Sequence, residues 1–399
     1  MSKAHGGNPF RIHGVVTQQF FTDRAEELDR ILAALREPAA KLLVYGPRRM
    51  GKTSALVRAI ARHEESGGVA FLADMSTAST LVDVANRILE AAGRALGRKW
   101  SDSITDFVKR LGMRITLTPD PGSGLILPSL DVSLRGAPLE EQRASLAKTL
   151  DSVDGLAKAR KTTIGVVLDE FQEIQRFGGE AGEWHLRGIM QHHQHVSYVL
   201  AGSQAHIIER MLDKGRAFYG LADQLQFGPI DPGHLSKWID GRMTKAGVSA
   251  RGVGEAIVAL AGPRTRDIVQ VARKCFDNSK LSGRAGPDAV TQAFDDVTTE
   301  QEALFQSMWN GLRGLQQNVL RAVAENLDGL TTRASLRRFA LSSSGAASNA
   351  ASALIDAGYL VKASSTTGYG FENPFFGHWV KRETMADLGA RAILQDPLS

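Results

Sequence analysis

Lys41–Leu56 reads KLLVYGPRRMGKTSAL. A short apolar run, Leu42 to Tyr45, is followed by a glycine-bounded loop and then by a helix-forming run, SALVRAIARHEE. The loop Gly46-Pro47-Arg48-Arg49-Met50-Gly51-Lys52-Thr53 is a complete G-x-x-x-x-G-K-[ST] pattern. The spacing has a physical purpose. Gly46 and Gly51 let the backbone curl until successive N–H groups point inward at an anion. The helix beginning near Lys52 aims its positive end at the same place. Gly46, Pro47, Arg48, Arg49, Met50, Gly51, Lys52, Thr53 and Ser54 are therefore expected to cradle the phosphates of a nucleotide. Lys52 reaches the β and γ phosphates, and the Thr53 hydroxyl is placed to ligate Mg²⁺.

A second stretch completes the chemistry. Thr163–Ile174 reads TIGVVLDEFQEI, in which Ile164, Val166, Val167 and Leu168 form a continuous apolar strand of the kind buried in parallel sheets. Asp169 and Glu170 stand at its C-terminal end, where open α/β sheets bind ligands. Asp169 is expected to hold the metal, and Glu170 to polarise the attacking water as general base. The two loops are expected to meet at neighbouring strand ends around one triphosphate. Val196–Gly202 reads as another buried strand, and after it Ser203 or Gln204 is open to two readings, a polar side chain between the metal-bound acid and the γ-phosphate or a strand-to-helix cap.

The totals fit this reading. The chain has 399 residues, enough for two or three domains, with 43% hydrophobic and 23% charged residues. Net charge +5 and a pI near 9.3 permit an acidic partner such as nucleic acid without requiring one. The single cysteine, Cys275, rules out an intrachain disulfide and a Cys-rich zinc site, and reads as helix packing. No apolar run is long enough to span a bilayer, and MSKAHGGNPFRIHG has no signal-peptide core, so a cytoplasmic protein with no membrane partner is expected.

Around these strands the chain orders itself. Met1 to Gly7 reads as a flexible tail, and Asn8-Pro9-Phe10 begins order. Phe20–Leu35 carries a helix with an apolar stripe of Leu28, Ile31, Leu32 and Leu35, capped by Thr22 or Asp23 with Glu26. Arg24 beside it is open to two readings, nucleotide contact or a structural tie. Gly68–Met75 is a strand and Thr80–Leu96 a helix. Arg114–Thr118 and Leu125–Leu134 read as strands around the turn Pro119-Asp120-Pro121-Gly122, a β-hairpin inserted at about 112–136. His192-His193-Gln194-His195 has no Cys or carboxylate at ligand spacing and reads as a solvated helix end. From Leu235 to about Ala303 the pattern is helical, and Arg264 or Arg266, at a helix start, is the candidate for sensing the γ-phosphate. Beyond Leu312 come three helices and a two-strand hairpin, the order of a winged helix. Its third helix, SGAASNAASALIDAG, has no Arg or Lys. Arg333, Arg337, Arg338 and Lys362 are placed for phosphate contact more than for base readout. Contact with DNA and contact with a protein both remain open.

Taken together, NPF near the start, FFTDRAEEL, YGPRRMGKTS, VVLDEFQEI, LAGSQ and the terminal FENPFFGHWVKR give a resemblance. The chain resembles the archaeal-type ATPase family, STAND-like P-loop ATPases related to the AAA+ origin-recognition initiators. The resemblance implies an α/β P-loop NTPase core with a parallel sheet, a helical lid and a C-terminal winged helix. The implied layout is 1–230 for the ATPase domain, 231–308 for the lid, 309–385 for the winged helix and 386–399 for a tail. It implies ATP and Mg²⁺ as cofactors, nucleotide-dependent homo-oligomers, and DNA or a protein as partner. One departure matters. Members show a Pro-Leu-Tyr-Gly-Arg-like word where this chain has Ala217-Phe218-Tyr219-Gly220-Leu221. Leu221 holds the place of a trans-acting arginine, Arg216 lies five residues earlier, and slow turnover is expected. ATP is favoured over GTP because no Asn-Lys-x-Asp word occurs. A small-molecule kinase is a blander third reading, opposed by the Asp-Glu strand end and the long C-terminal module.

Overall fold

The structure is a computed structural model that describes residues 7–12, 14, 20–99, 107, 115–119, 124–326, 329–363 and 365–384. Residues 1–6 of the expected N-terminal tail, 120–122 of the expected turn and the tail 386–399 lie outside the described residues. The chain forms two compact units, residues 13–230 and residues 231–399 with 1–12.

The first unit runs α1 (Ala25–Arg36), β1 (Lys41–Tyr45), α2 (Lys52–Glu65), β2 (Val69–Asp74), α3 (Leu81–Lys99), β3 (Ile115–Pro119), β4 (Ile126–Leu130), α4 (Leu139–Ala159), β5 (Ile164–Asp169), α5 (Ile174–His192), β6 (Val196–Gly202), α6 (Ala205–Met211) and β7 (Asp223–Gln226). Five strands pair in parallel in the order β2-β5-β6-β1-β7. Alternation builds three layers from continuous apolar runs. Leu43, Val166, Leu168, Tyr198 and Leu200 face one core with α3, α4 and α5. Leu42, Val44, Val167, Val199 and Ala201 face the other with α1 and α2. The α/β parallel-sheet expectation therefore holds.

Three details depart from the sequence reading. The strands carrying the two loops are not neighbours, because β6 lies between β1 and β5. Strand order is set by where crossovers return, which residue patterns do not encode. The α1 stripe is buried as expected, but neither Thr22 nor Asp23 caps the helix. Its N-cap is Arg24, left-handed at φ 78°, without a side-chain capping bond. The inserted hairpin pairs Ile115 with Leu130, and its second strand stops there rather than at Leu134. The Asp131 carboxylate accepts the Ser133 N–H and turns the chain into a 3₁₀ segment, Val132–Gly136.

The second unit holds α7 (Pro232–Lys245), α8 (Val253–Ala261), α9 (Thr265–Ser279), α10 (Pro287–Glu300), α11 (Glu302–Asn310), α12 (Gly314–Glu325), α13 (Arg333–Arg338), α14 (Ser344–Asp356), the antiparallel strands β8 (Leu360–Lys362) and β9 (Tyr369–Phe371), and α15 (Pro374–Trp379). Cys275 is buried in α9. The Asn8–Phe10 segment belongs here. Phe10 is buried edge-on to Trp238 at 5.7 Å, and Arg242 donates to the Pro9 carbonyl at 2.8 Å. The terminal word FENPFFGHW is a staple. Asn373 caps α15 by accepting from the Phe375 and Phe376 N–H groups. Ring contacts then tie Phe375 to Phe294 at 4.9 Å, Phe376 to Phe305 at 5.5 Å and Trp379 to Trp309 at 6.0 Å.

Candidate functional site

The loop after β1 is built by backbone that few residues tolerate. Gly46 sits at φ 153°, and a Cβ there would lie 2.3 Å from the Phe227 carbonyl oxygen. That carbonyl belongs to the segment after β7, whose Phe227 N–H donates to Tyr45 O at 2.6 Å. Gly51, at φ 92°, is the N-cap of α2, and Arg49 is also left-handed at φ 67°. Lys52 is buried and its Nζ donates to the carbonyls of Gly46 and Pro47, each at 2.7 Å. Met50 is buried, while Pro47, Arg48 and Thr53 are exposed and Ser54 is half-buried. The loop and the helix start thus form an anion cradle with its lysine folded across it.

The β5 end meets this cradle through side chains, across the width of β6. The Thr53 hydroxyl donates to Asp169 Oδ2 at 2.7 Å. Asp169 is buried, and burial raises its pKa above the ordinary carboxylate value; the Thr53 hydrogen bond opposes that rise and the neighbouring Glu170 charge adds to it. Glu170 is left-handed at φ 53°. Its Oε2 accepts from the Ser203 hydroxyl at 2.6 Å and from Gln172 Nε2 at 2.5 Å. Ser203 in turn receives Arg48 Nε at 3.4 Å. Of the pair Ser203 and Gln204, Ser203 is the one in this network.

The donor set fits Mg²⁺. Thr53 Oγ1 and Asp169 Oδ2 are hard oxygens already 2.7 Å apart. Among the described residues no group of three or more His, Cys, Asp or Glu gathers to hold a metal; Thr53 and Asp169 would supply two oxygens and leave the rest to phosphate and water.

A family model described as an ATPase domain predominantly from Archaea matches residues 21–230 of the 399. The chain belongs to that family. Its fold is similar to that of the Walker-type ATPase of Pyrococcus abyssi, at 14% identity and TM-score 0.62, covering 93% of this chain and 99% of that one. It is also similar to the ORC2 protein of Aeropyrum pernix in ADPNP–ADP complexes, at 15% identity and TM-score 0.54, covering 93% and 95%. At such identities the likeness carries the fold alone. No curated protein matches the sequence.

In this ATPase, Arg24 is a structural tie to the loop. Its guanidinium is buried, donates to Met50 O at 3.3 Å and Gly228 O at 2.6 Å, pairs with Glu27, and lies 4.5 Å over the Phe227 ring. The histidine cluster is not a solvated helix end throughout. His193 is buried between Asp151 at 2.9 Å and the Tyr198 hydroxyl at 2.7 Å. Polar partners on α4 and β6 satisfy it, and no apolar pattern announces that. Arg216 pairs with Glu180 and with the fully buried Glu183, at 2.9 and 2.7 Å, and Leu221 packs against the core. In the other unit Arg264 is buried and its guanidinium pairs with the carboxylate and carbonyl of Glu372, whereas Arg266 is exposed. Arg333, Arg337 and Lys362 are exposed, and Arg338 pairs with Glu325. Sequence reading missed Gln172 altogether; its only signal is that it follows the Asp-Glu pair by two positions. No helix among the described residues is long and apolar enough to cross a membrane.

Proposed function

We propose that this ATPase hydrolyses MgATP by in-line attack of water and works as a nucleotide-dependent switch acting on DNA through a C-terminal winged helix. The observation that carries the hydrolytic reading is the 2.7 Å bond from Thr53 to Asp169, which brings the cradle and the acid pair to one place. The backbone of Gly46 to Ser54 binds the phosphates. Lys52 exchanges the carbonyls of Gly46 and Pro47 for the β and γ phosphates, so an anion replaces two neutral acceptors. Thr53 and Asp169 would hold Mg²⁺, which neutralises charge on the phosphate oxygens when bound. Glu170 orients water and takes its proton, and Ser203 holds Glu170 toward the γ-phosphate side. Arg264 is committed to Glu372, so Arg266, exposed, is the proposed γ-phosphate sensor. With Leu221 in place of a trans-acting arginine, turnover is slow. Nucleotide-dependent homo-oligomers in the cytoplasm complete the proposal.

The reading that DNA is the target rests on the exposed cations Arg333 and Arg337 of α13 and Lys362 at the hairpin, beside helix–helix–helix–hairpin order in residues 314–371. A protein partner is the second reading, favoured by α14, Ser344–Asp356, which is mostly small side chains and has no Arg or Lys. Binding of the full chain to duplex DNA, with and without ATP at two salt concentrations, decides between them. Phosphate contact predicts affinity that falls steeply with salt and falls again in Arg333→Ala/Arg337→Ala. Affinity indifferent to both would leave the protein partner.

A further inference from the structure

We infer that Gln172, together with Ser203, positions Glu170 for catalysis, and that it does so by closing a ring with Ser203. The inference rests on the reading of Glu170 as general base. Gln172 lies in the 3₁₀ turn Phe171–Glu173, immediately after the acid pair, and is buried with 2% of its surface exposed. Its amide makes two bonds of opposite sense. Nε2 donates to Glu170 Oε2 at 2.5 Å, and Oε1 accepts the Ser203 N–H at 3.3 Å. Only one orientation of the amide satisfies both, because a flip would set N–H against N–H and oxygen against carboxylate. Ser203 closes the ring by donating its hydroxyl to the same Oε2 at 2.6 Å. The backbone makes room for this. A Cβ on Gly202, the last residue of β6, would come 2.8 Å from Gln172 Oε1.

The consequence is an asymmetric carboxylate. Both donors are spent on Oε2, so Oε1 is the oxygen left to take a proton from water. Glu170 starts from a left-handed backbone, φ 53°, at a strand end, with several rotatable bonds between its Cα and the carboxylate. Two charge-assisted bonds to one oxygen remove most of that freedom. The ring also joins the ends of β5 and β6, and through Arg48 Nε at 3.4 Å from Ser203 Oγ it touches the phosphate loop. Gln172 itself reaches no phosphate in this scheme; it acts only through Glu170.

The test compares the wild-type chain with Gln172→Leu, which removes both bonds, and Gln172→Glu, which keeps the acceptor but sets a carboxylate against Glu170. Steady-state hydrolysis, equilibrium binding of ATP and thermal melting are measured on each. Both variants are expected to lose about 10- to 100-fold in kcat, as misplaced catalytic groups do. KM and the ATP Kd are expected to stay close to wild type, while the melting temperature falls in both, because Gln172→Leu leaves the buried Ser203 N–H without its acceptor and Gln172→Glu sets two carboxylates together. Gln172→Leu added to Glu170→Gln is expected to lower turnover no further. Wild-type kcat in Gln172→Leu overturns the inference, as does a loss of ATP binding in step with kcat, which would make Gln172 a packing residue. If Gln172→Leu does not fold, the same readouts on Gln172→Glu decide. The underlying reading fails separately, by normal turnover in Glu170→Gln itself.

Discussion

At the residue scale, Asp169 shows how a site is bought with stability. Its folded pKa is raised, chiefly by burial, so its ionised form is less favourable in the folded chain than in the unfolded one. For a carboxylate shifted in that direction, stability is greatest when the group is protonated and is lost as pH rises through the folded pKa. Asp169→Asn, which can accept the Glu170 N–H and donate to the Thr53 hydroxyl, should therefore melt higher than wild type at neutral pH without ligand. The gain should shrink as the pH falls through the Asp169 titration, and the same variant should lose Mg²⁺-dependent hydrolysis. Melting curves at several pH values check the first part and a phosphate-release assay the second. Cys275 gives a simpler expectation. Burial pushes its thiol up to about 11, so a thiol reagent at pH 8 should leave the native chain unmodified and react only after denaturation. Lys52 and Thr53 were legible in the sequence because the glycine-loop pattern dictates their types and spacing, and Asp169 and Glu170 because they end a continuous apolar strand. Gln172 and His193 were not, since each is defined by a partner on another element, Ser203 for the one and Asp151 and Tyr198 for the other.

At the scale of elements, the strand–loop–helix at Lys41–Glu65 stands on one close approach. Gly46→Ala would place a methyl 2.3 Å from a backbone oxygen that belongs to the segment after β7. Such overpacking costs about 1–3 kcal/mol. In a unit of this size that is a fall of roughly 2–12 °C in melting temperature, with nucleotide binding lost alongside. The terminal staple makes a parallel case. Phe376 is almost fully buried among Phe305, Tyr359, Phe371 and Trp379, so Phe376→Ala should destabilise its unit by about 3–5 kcal/mol, read by denaturant titration. Apolar runs made β1, β2, β5 and β6 readable. The fifth strand, β7, escaped notice because Asp-Gln-Leu-Gln buries only Leu225 and is a strand by virtue of pairing with β1. The N-cap of α1 escaped because Arg24 turns its side chain inward to Met50 and Gly228, a demand that local capping rules do not contain.

At the scale of the molecule, a residue-level motif and a set of remote cations are asked to serve one switch. If Arg333 and Arg337 touch phosphates, replacing both with Ala should lower the steepness of the salt dependence by about one unit each, with little change in sequence preference. Binding measured on unrelated duplexes at several salt concentrations reads this out. The architecture of the 13–230 unit followed from its buried strands, whereas the partner of the 231–399 unit did not, because a helix such as Ser344–Asp356 carries no charge pattern that selects one. Everything downstream depends on Thr53, Asp169 and Glu170 serving one bound triphosphate. The most direct test is Glu170→Gln, incubated with ATP and Mg²⁺, freed of unbound nucleotide by gel filtration and analysed for what it holds. The account predicts close to one intact ATP per chain and no phosphate release. Wild-type turnover, or a chain that emerges with ADP, would contradict it.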